Sequence, residues 1–354
     1  MKFDVVVGNP PYQQSVSDSG KNQHDMPVYH LFYDLAESIA SVYALITPAR
    51  FLTNSGYTPK KWNEKMLNSE HHKILYYNSK SSAVFSNTDI QGGVVVMCYS
   101  QDQLFKPITF FTPDPVLTQL ALKVITKNND GVISDIMYVQ TKMNLDTVYA
   151  DYPDIRDKRP KSHQMDKAFG TDTFVLFSDV LSDTRTASDA IEIFGLLPGN
   201  KRASRFIDSK YVLNNDSTST KLDKYKVLVP AANGSGTIGD TTSTPVIGIP
   251  VIGVPGMGHT MSFRSIGSFD SMFEAESLFA YIKTKFARSM IGTLKSTQHM
   301  PPKVFSNVPI QDFTSDSDID WTKSIAEIDQ QLYAKYDLSD DEIAFIEEKV
   351  KPMA

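Results

Sequence analysis

The feature that most constrains this chain is a short apolar strand that leads directly into two prolines. Residues 3–7 (Phe-Asp-Val-Val-Val) predict a buried β-strand, which ends at Gly8 and Pro10-Pro11. Each proline fixes its own φ angle and has no backbone N–H, so the strand cannot continue through them. The turn after the strand is therefore stiff and has a defined direction.

The residues that follow alternate between helical and extended patterns. Apolar residues recur at helical spacing over 28–41, which predicts a helix. Further elements are predicted along this part of the chain, in the order strand, helix, strand, strand: 42–47, 59–67, 74–77 and 93–99. This order is typical of an α/β sheet that finishes in an antiparallel hairpin.

The chain divides into three predicted regions. The α/β region covers residues 1–128 and ends at a polar Asn-Asn-Asp-Gly run, 128–131. Residues 129–314 are rich in turns and short β-like runs, which predicts a mixed α+β domain. Residues 315–354 form a predicted helical tail.

Four helices are expected beyond residue 107. The patterns place them at 116–126, at 274–294, at 320–335 and after a capping box formed by Ser339 and Glu342.

The net charge of −6 and the pI near 5.7 count against a protein that coats nucleic acid without sequence preference. A site-specific DNA binder needs only one basic face, and basic residues cluster at 156–167, 201–210 and 283–303. No apolar run approaches the ~20 residues of a membrane span, and residues 1–12 lack a signal-peptide pattern. The single cysteine, Cys98, can form no intramolecular disulfide, so a cytoplasmic protein is expected.

The run Asn9-Pro10-Pro11-Tyr12 suits methyl transfer to an exocyclic amine. The lone pair of such a nitrogen is delocalised into the ring, so the amine is a weak nucleophile. Two acceptors that each take one N–H can draw the nitrogen toward tetrahedral geometry, and the Asn9 side-chain oxygen and the Pro10 carbonyl oxygen are two such acceptors. Tyr12 offers a flat face for stacking an extruded base, which contributes roughly 1–3 kcal/mol.

The same run can also be a stiff turn without chemistry. The apolar strand before it, the aromatic residue after it and the α/β context favour the functional interpretation. Asn9, Pro10, Pro11 and Tyr12 are therefore the candidate catalytic residues.

Residues 3–13 (FDVVVGNPPYQ) resemble motif IV, the NPPY motif, of amino-methyltransferases that use S-adenosylmethionine. The similarity is to adenine-N6 DNA methyltransferases of type II (IIG) and type ISP restriction–modification systems. Residues 43–52 (YALITPARFL) and 85–99 (FSNTDIQGGVVVMCY) resemble later segments of the same domain, and residues 224–313 resemble a TaqI-like specificity domain. The resemblance implies base flipping of a target adenine, double-stranded DNA as partner and S-adenosylmethionine as cofactor.

One part of the family pattern is not found. A glycine-rich turn of the form Phe-x-Gly-x-Gly should precede motif IV, and only the weak runs 234–239 (GSGTIG) and 253–258 (GVPGMG) occur elsewhere. The expected fold is thus a partial Rossmann-like methyltransferase sheet that lacks the cofactor-binding strands, followed by the α+β target-recognition domain and the helical tail. Strand 3–7 would then have an unpaired apolar edge, and a partner chain, a second copy or another part of this chain is expected to cover it.

Candidate DNA contacts combine basic side chains for phosphates with amide and hydroxyl groups for base edges. A first group comes from the basic runs, with Lys283 to Lys295 expected to share a helix face: Lys201, Arg202, Arg205, Lys283, Lys285, Arg288 and Lys295. A second group lies in a glycine-rich loop and at a helix end: Asn233, Gly234, Ser235, Gln298 and His299. Each residue alone could equally lie on an ordinary solvated surface.

Three functions remain open at this point. The first is the target-binding and recognition part of a DNA adenine methyltransferase that needs a separate cofactor-binding part. The second is a non-catalytic DNA specificity subunit or inactive fragment, and the third is an RNA or protein-glutamine methyltransferase. A nuclease-like set (Asp154, Asp208, Lys210) is a weak pattern, and His71 and His72 are expected to be surface histidines rather than metal ligands.

Overall fold

The structure is a computed structural model that describes residues 3–16, 24–54, 56–86, 88–90, 92–213, 218–234, 238, 243–295 and 297–353. The chain separates into two compact units, Met1–Leu122 and Lys123–Ala354. The expected boundary at residue 128 falls shortly after this division, and the expected tail, 315–354, belongs to the second unit. No helix in the described ranges is long and apolar enough to cross a membrane.

The first unit is built on a four-stranded sheet. Its elements are β1 (Phe3–Gly8), β2 (Gln13–Val16), β3 (His24–Pro27), α1 (Tyr29–Ile39), β4 (Ala40–Pro48), α2 (Lys60–Asn68), β5 (His72–Asn78) and β6 (Val94–Ser100), and α3 (Pro115–Lys127) crosses into the second unit. The sheet order is β1-β4-β6-β5; β1 is parallel to β4 and the other pairs are antiparallel. This mixed α/β order with an antiparallel finish agrees with the prediction.

An aromatic cluster fixes helix α1 on one face of this sheet. The alternation of a strand turns Tyr43 and Leu45 of β4 to the same face, and both are buried. Tyr33 of α1 lies with its ring centroid 5.7 Å from that of Tyr43 and 5.6 Å from that of Trp62 in α2. Full burial of each such side chain stabilises the unit by roughly 2–3 kcal/mol.

The other face of β1 is uncovered. Phe3, Val5 and Val7 are 47%, 57% and 75% exposed, whereas Val6 packs against the core. The expectation of a buried strand is therefore wrong, because β1 is an edge strand and only alternate side chains face the core. Among the described residues no other segment of the chain pairs with the free edge of β1.

The second unit combines small sheets with helices. Its elements are β7 (Met137–Tyr138), β8 (Lys142–Met143), α4 (Leu145–Asp151), α5 (Pro153–Lys158), α6 (Thr173–Leu176), β9 (Ile191–Leu197), β10 (Lys201–Ile207), β11 (Val212–Leu213), β12 (Tyr225–Pro230), β13 (Val251–Gly253), β14 (Met257–His259), β15 (Phe263–Phe269), α7 (Met272–Lys283), α8 (Lys285–Gly292), α9 (Ile325–Lys335) and α10 (Asp340–Lys349). The sheet orders are β10-β9-β14, β13-β12-β15-β7 and β11-β8. The expected α+β character is present.

The single helix predicted over 274–294 is two helices, α7 and α8. Thr284 has an extended ψ of 150° and caps α8 by accepting a hydrogen bond from the Ala287 N–H at 3.1 Å. The Asp329 carboxylate accepts further hydrogen bonds from the backbone N–H groups of Lys285 and Phe286, at 3.0 and 2.8 Å. A negative charge at a helix start is stabilising, so these caps favour a new helix over continuation of α7.

The helical tail follows its predicted signals closely. Ser339 and Glu342 form the expected capping box at the start of α10. Ser324 and Glu327 form a second one, so α9 begins later than the predicted residue 320.

His72 is buried in the first unit, and the expectation of a surface position for it is wrong. Its Nε2 lies 2.6 Å from the Tyr43 hydroxyl oxygen, and its ring packs beside Tyr99. Burial lowers the pKa of His72 to about 4, and the nearby positive charge of Lys65 acts in the same direction.

Acid is therefore expected to destabilise the first unit. The unfolded chain protonates His72 near pH 6.5, whereas the folded unit resists protonation down to about pH 4, so stability falls as the pH falls through this window. The loss attributable to His72 at pH 5 is about 2 kcal/mol.

Urea denaturation at pH 7 and pH 5 measures this loss. A Trp321→Phe background leaves Trp62 as a fluorescence probe of the first unit. His72→Gln should remove most of the pH dependence, and His163→Gln, which changes an exposed histidine of the second unit, should leave it unchanged. Equal pH dependence in His72→Gln and in the parent protein would contradict the assignment.

Candidate functional site

The diproline turn lines a cavity at the end of β1. Because β1 and β4 are parallel, residues that follow both strands meet at one edge of the sheet. The cavity there has a volume of about 690 Å³. It is lined by Asn9, Pro10, Pro11, Tyr12, Gln13, Asp25, Pro27, Tyr29, Pro48, Arg50, Gly56, Tyr57, Asp89 and Ile90.

All four candidate catalytic residues therefore lie together on one wall. Asn9 is exposed, and no hydrogen bond to the Pro10 carbonyl oxygen is found among the described residues. Tyr12 is half-buried, and its carbonyl oxygen accepts a hydrogen bond from the Val28 N–H at 3.1 Å. Burial raises the pKa of Tyr12 and the neighbouring Asn9 side chain partly opposes this, so Tyr12 is a neutral phenol near pH 7.

A hairpin forms the next wall. Strands β2 and β3 pair antiparallel, with Gln13 opposite Pro27. The Gln13 side-chain amide donates a hydrogen bond to the Asp25 carboxylate at 2.9 Å. The hairpin thus links the residue after the motif to the start of α1.

The structure adds cavity residues to which the sequence analysis gave no role. Tyr57 is 85% exposed at a φ of 65°, beside Gly56 at a φ of 87°. Such a backbone is costly for a bulky residue and is often found at functional sites. Tyr29, from the start of α1, is buried, and burial raises its pKa to about 12. The turn residues Asn54 and Gly56 were the available signal for an unusual loop here.

A second, smaller cavity shares Asn9 and Pro10 with the first. Its volume is about 210 Å³, and apart from Asn9 its lining side chains are apolar: Val6, Pro10, Phe32, Leu35, Ala36, Ile39 and Leu45, with Gly8. Asn9 and Pro10 therefore line two cavities, one of mixed polar and apolar lining and one that is otherwise apolar.

In the second unit, two of the predicted DNA-contacting segments come together. The Asn233 N–H donates a hydrogen bond to the Gln298 carbonyl oxygen at 2.8 Å, and Ala232 forms a β-bridge with His299. Gly234, Gln298 and His299 are exposed there. Ser235 lies outside the described residues.

Arg202 joins the same region through a different loop. Its guanidinium donates a hydrogen bond to the Ile249 carbonyl oxygen at 2.6 Å and lies 5.6 Å from the Phe263 ring centroid. The loop with Gly248 and Ile249 lies close to Asn233: a Cβ placed on Gly248 would be 3.7 Å from the Asn233 side-chain amide nitrogen. Residues 232–234, 248–249 and 297–299 with Arg202 are here called the loop cluster, and exposed Lys201 adjoins it.

The other basic candidates are used within the fold. Arg205 pairs with Asp183 at 2.7 Å and Lys285 with Glu347 at 2.5 Å. Lys283, Arg288 and Lys295 are buried, and burial lowers the pKa of each. The expected DNA-facing helix surface from Lys283 to Lys295 is therefore absent, because the helix breaks at Thr284 and its basic side chains turn inward.

Residues of the weak nuclease-like pattern also make contacts within the fold. Lys210 pairs with Asp151 at 2.8 Å, and its backbone N–H donates to the Asp208 carboxylate at 3.0 Å. No group of three or more His, Cys, Asp or Glu side chains that could hold a metal ion occurs among the described residues.

Arg288 is expected to be a stability residue. Its guanidinium donates to the carbonyl oxygens of Pro245 and Lys351, at 3.2 and 2.7 Å. Its Nε also donates to the carbonyl oxygens of Lys283 and Thr284, at 3.0 and 3.1 Å. Arg288→Met should lower the free energy of unfolding by about 3 kcal/mol, because these carbonyl groups lose a buried charged donor. Lys201→Met removes the same charge from an exposed site and should change stability little; similar urea midpoints for both variants would refute this role.

Comparison with known proteins gives one family match. Residues 1–85 match the family model described as Eco57I restriction-modification methylase. No curated protein matches the chain. Among solved structures, the chain is similar to the type IIG restriction endonuclease BpuSI, with 14% identity, coverage of 97% of this chain and 52% of that chain, and a TM-score of 0.36.

The chain thus spans about half the length of BpuSI. The family match includes residues 9–12 and therefore the wall between the two cavities. Residues 1–85 are similar to a restriction-modification methylase.

Proposed function

We propose that this chain carries the target-adenine site and the DNA-recognition surface of a site-specific DNA adenine-N6 methyltransferase in a restriction–modification system. The observation that carries the proposal is the position of Asn9 and Pro10 in the lining of both the larger, mixed cavity and the smaller, apolar cavity at the end of β1. The family match over residues 1–85 supports methyl transfer as the reaction class.

The larger cavity suits an extruded base. With the adenine amine beside Asn9, one N–H donates to the Asn9 side-chain oxygen and the other to the Pro10 carbonyl oxygen. Both acceptors become stronger partners as positive charge develops on the nitrogen, so the wall favours the transition state over the ground state. Pro10 and Pro11 hold the carbonyl in a fixed direction, which avoids reorganisation during the reaction.

The smaller cavity fits part of the proposed cofactor. Its apolar lining, with Phe32 and Leu35 from α1, suits the flat purine of S-adenosylmethionine, and Asn9 and Pro10 would separate it from the target base. S-adenosylmethionine supplies the methyl group when bound. The lining offers few polar groups for the ribose and the amino-acid part, so these groups need ligands from another segment.

The uncovered side of β1 is where we place that segment. An apolar strand with a free edge readily pairs with another strand. Phe3, Val5 and Val7 present an exposed apolar surface on the face of the sheet opposite to Val6, which lines the smaller cavity. A second polypeptide or a second copy that covers this edge would complete the site. If no segment does so, the chain is the non-catalytic specificity subunit that the sequence left open.

DNA recognition is assigned to the loop cluster. Gln298 and His299 offer donors and acceptors for base edges, while Lys201 and Arg202 offer charge for phosphates. Gly234, which has no side chain, leaves room for a close approach of the DNA backbone.

Asn9→Ala is expected to abolish methylation. Loss of one acceptor from the preorganised pair should lower the rate at least about 100-fold. The measurement is the N6-methyladenine content of genomic DNA, by mass spectrometry, from the native host deleted for the gene and complemented with each variant. Asn68→Ala, at an exposed site at the end of α2, is the matched control and should restore wild-type levels.

Three other results have distinct meanings. Restoration of N6-methyladenine by Asn9→Ala would overturn the role of Asn9. Methylated cytosine instead of adenine would overturn the base assignment. Site-specific DNA binding without any methylated base would support the non-catalytic alternative.

Variants of the loop cluster should separate specificity from affinity. Gln298→Ala is expected to relax the preference at one or two base pairs, by about 1–3 kcal/mol each, in selections from random-sequence DNA. Lys201→Ala should weaken binding to all DNA sequences alike. It should also reduce the slope of the logarithm of the binding constant against the logarithm of salt concentration by about 1. An unchanged preference in both Gln298→Ala and His299→Ala would place recognition elsewhere.

A further inference from the structure

Arg50 has a distinctive position at the larger cavity. It follows β4 in a 3-10 turn, Ala49–Thr53, and lines the cavity together with Asn9 and Tyr12. Among the described lining residues it is the only lysine or arginine, and the lining also contains Asp25 and Asp89. A single fixed cation therefore lies in the cavity that also contains the diproline wall.

The structure holds the stem of Arg50 between two glycine loops. A Cβ at Gly56 would lie 2.7 Å from the Arg50 Cβ and 2.8 Å from its Cδ, and one at Gly92 would lie 3.1 Å from its Cγ. Both glycines have positive φ angles, 87° and 85°, which larger residues rarely adopt. Each loop can thus approach the side chain only because a glycine stands there, and the stem loses little further freedom when the guanidinium binds a ligand.

The Arg50 guanidinium acts on another residue of the lining, Tyr29. Its positive charge opposes the effect of burial on the pKa of the Tyr29 phenol. Because the Arg50 side chain lines the cavity, an anionic ligand group that enters with the base would meet it there.

We propose that Arg50 binds the phosphate of the nucleotide whose base occupies the larger cavity. An extruded base stays linked to its deoxyribose and phosphodiester groups, so a cavity that takes the base also brings a phosphate to the rim. A volume of about 690 Å³ lies in the range that holds ligands larger than a base alone. The planar fork of arginine matches two phosphate oxygens, which lysine cannot do.

This inference rests on the proposed function, and mononucleotides test it without knowledge of the recognised DNA sequence. The probes are 2′-deoxyadenosine, its 5′-monophosphate and its 3′-monophosphate, titrated into the full chain and followed by saturation-transfer NMR. We expect at least one monophosphate to bind about 10-fold more tightly than the nucleoside, with a gain that shrinks as salt is raised.

Variants at Arg50 test whether its guanidinium causes the tighter binding of the monophosphate. Arg50→Gln should bind the nucleoside as the parent does, which also reports that the cavity is intact, but should lose the gain from phosphate. Arg50→Lys should keep a part of it, because it retains the charge without the fork. Lys106→Gln, which removes an exposed charge of the same unit outside the cavity lining, should change neither.

The outcomes separate the two proposals. Nucleoside binding without a phosphate gain, or a gain that persists in Arg50→Gln, would overturn the role of Arg50. Nucleoside binding that fails in the parent chain, or that is equal in Asn9→Ala, would overturn the proposed adenine site on which this role depends.

Discussion

The parallel pairing of β1 with β4 is the constraint on which the site depends. The register from Val5↔Val42 to Gly8↔Leu45 brings the turns after both strands to the same edge of the sheet. The diproline corner and the turn that carries Arg50 thus face one cavity although they are far apart in sequence. The aromatic cluster of Tyr33, Tyr43 and Trp62 fixes α1 against this sheet. Burial of these rings therefore helps to hold the two strands from which the turns continue.

The four-stranded sheet of the first unit is unevenly covered. One face packs α1, whereas alternate residues of β1 remain exposed. The smaller cavity opens next to this strand and is almost wholly apolar. Val6 and Gly8 of β1 line this cavity on the side of the sheet that packs α1, whereas Phe3, Val5 and Val7 are exposed on the opposite face.

The sequence predicted local backbone features better than tertiary surroundings. The turn at 9–12 was singled out because two prolines determine backbone direction without tertiary help, and the capping box at Ser339 was predicted for the same local reason. The break between α7 and α8 could not be predicted in this way, because Asp329, distant in sequence, caps the new helix. Tyr57 and Arg50 entered the site only through a positive-φ turn, which sequence periodicity does not register.

The central claim is that the Asn9 side chain accepts a hydrogen bond from the amine of an adenine base. The most direct measurement is the NMR shift of the Asn9 side-chain amide, assigned by its loss in Asn9→Ala, during titration with 2′-deoxyadenosine and with the analogue that has hydrogen in place of the 6-amino group. A saturable shift is expected with the amine-bearing nucleoside, and little or none with the analogue. Equal shifts with both compounds would show that the wall binds a purine without reading its amine, and would contradict the account.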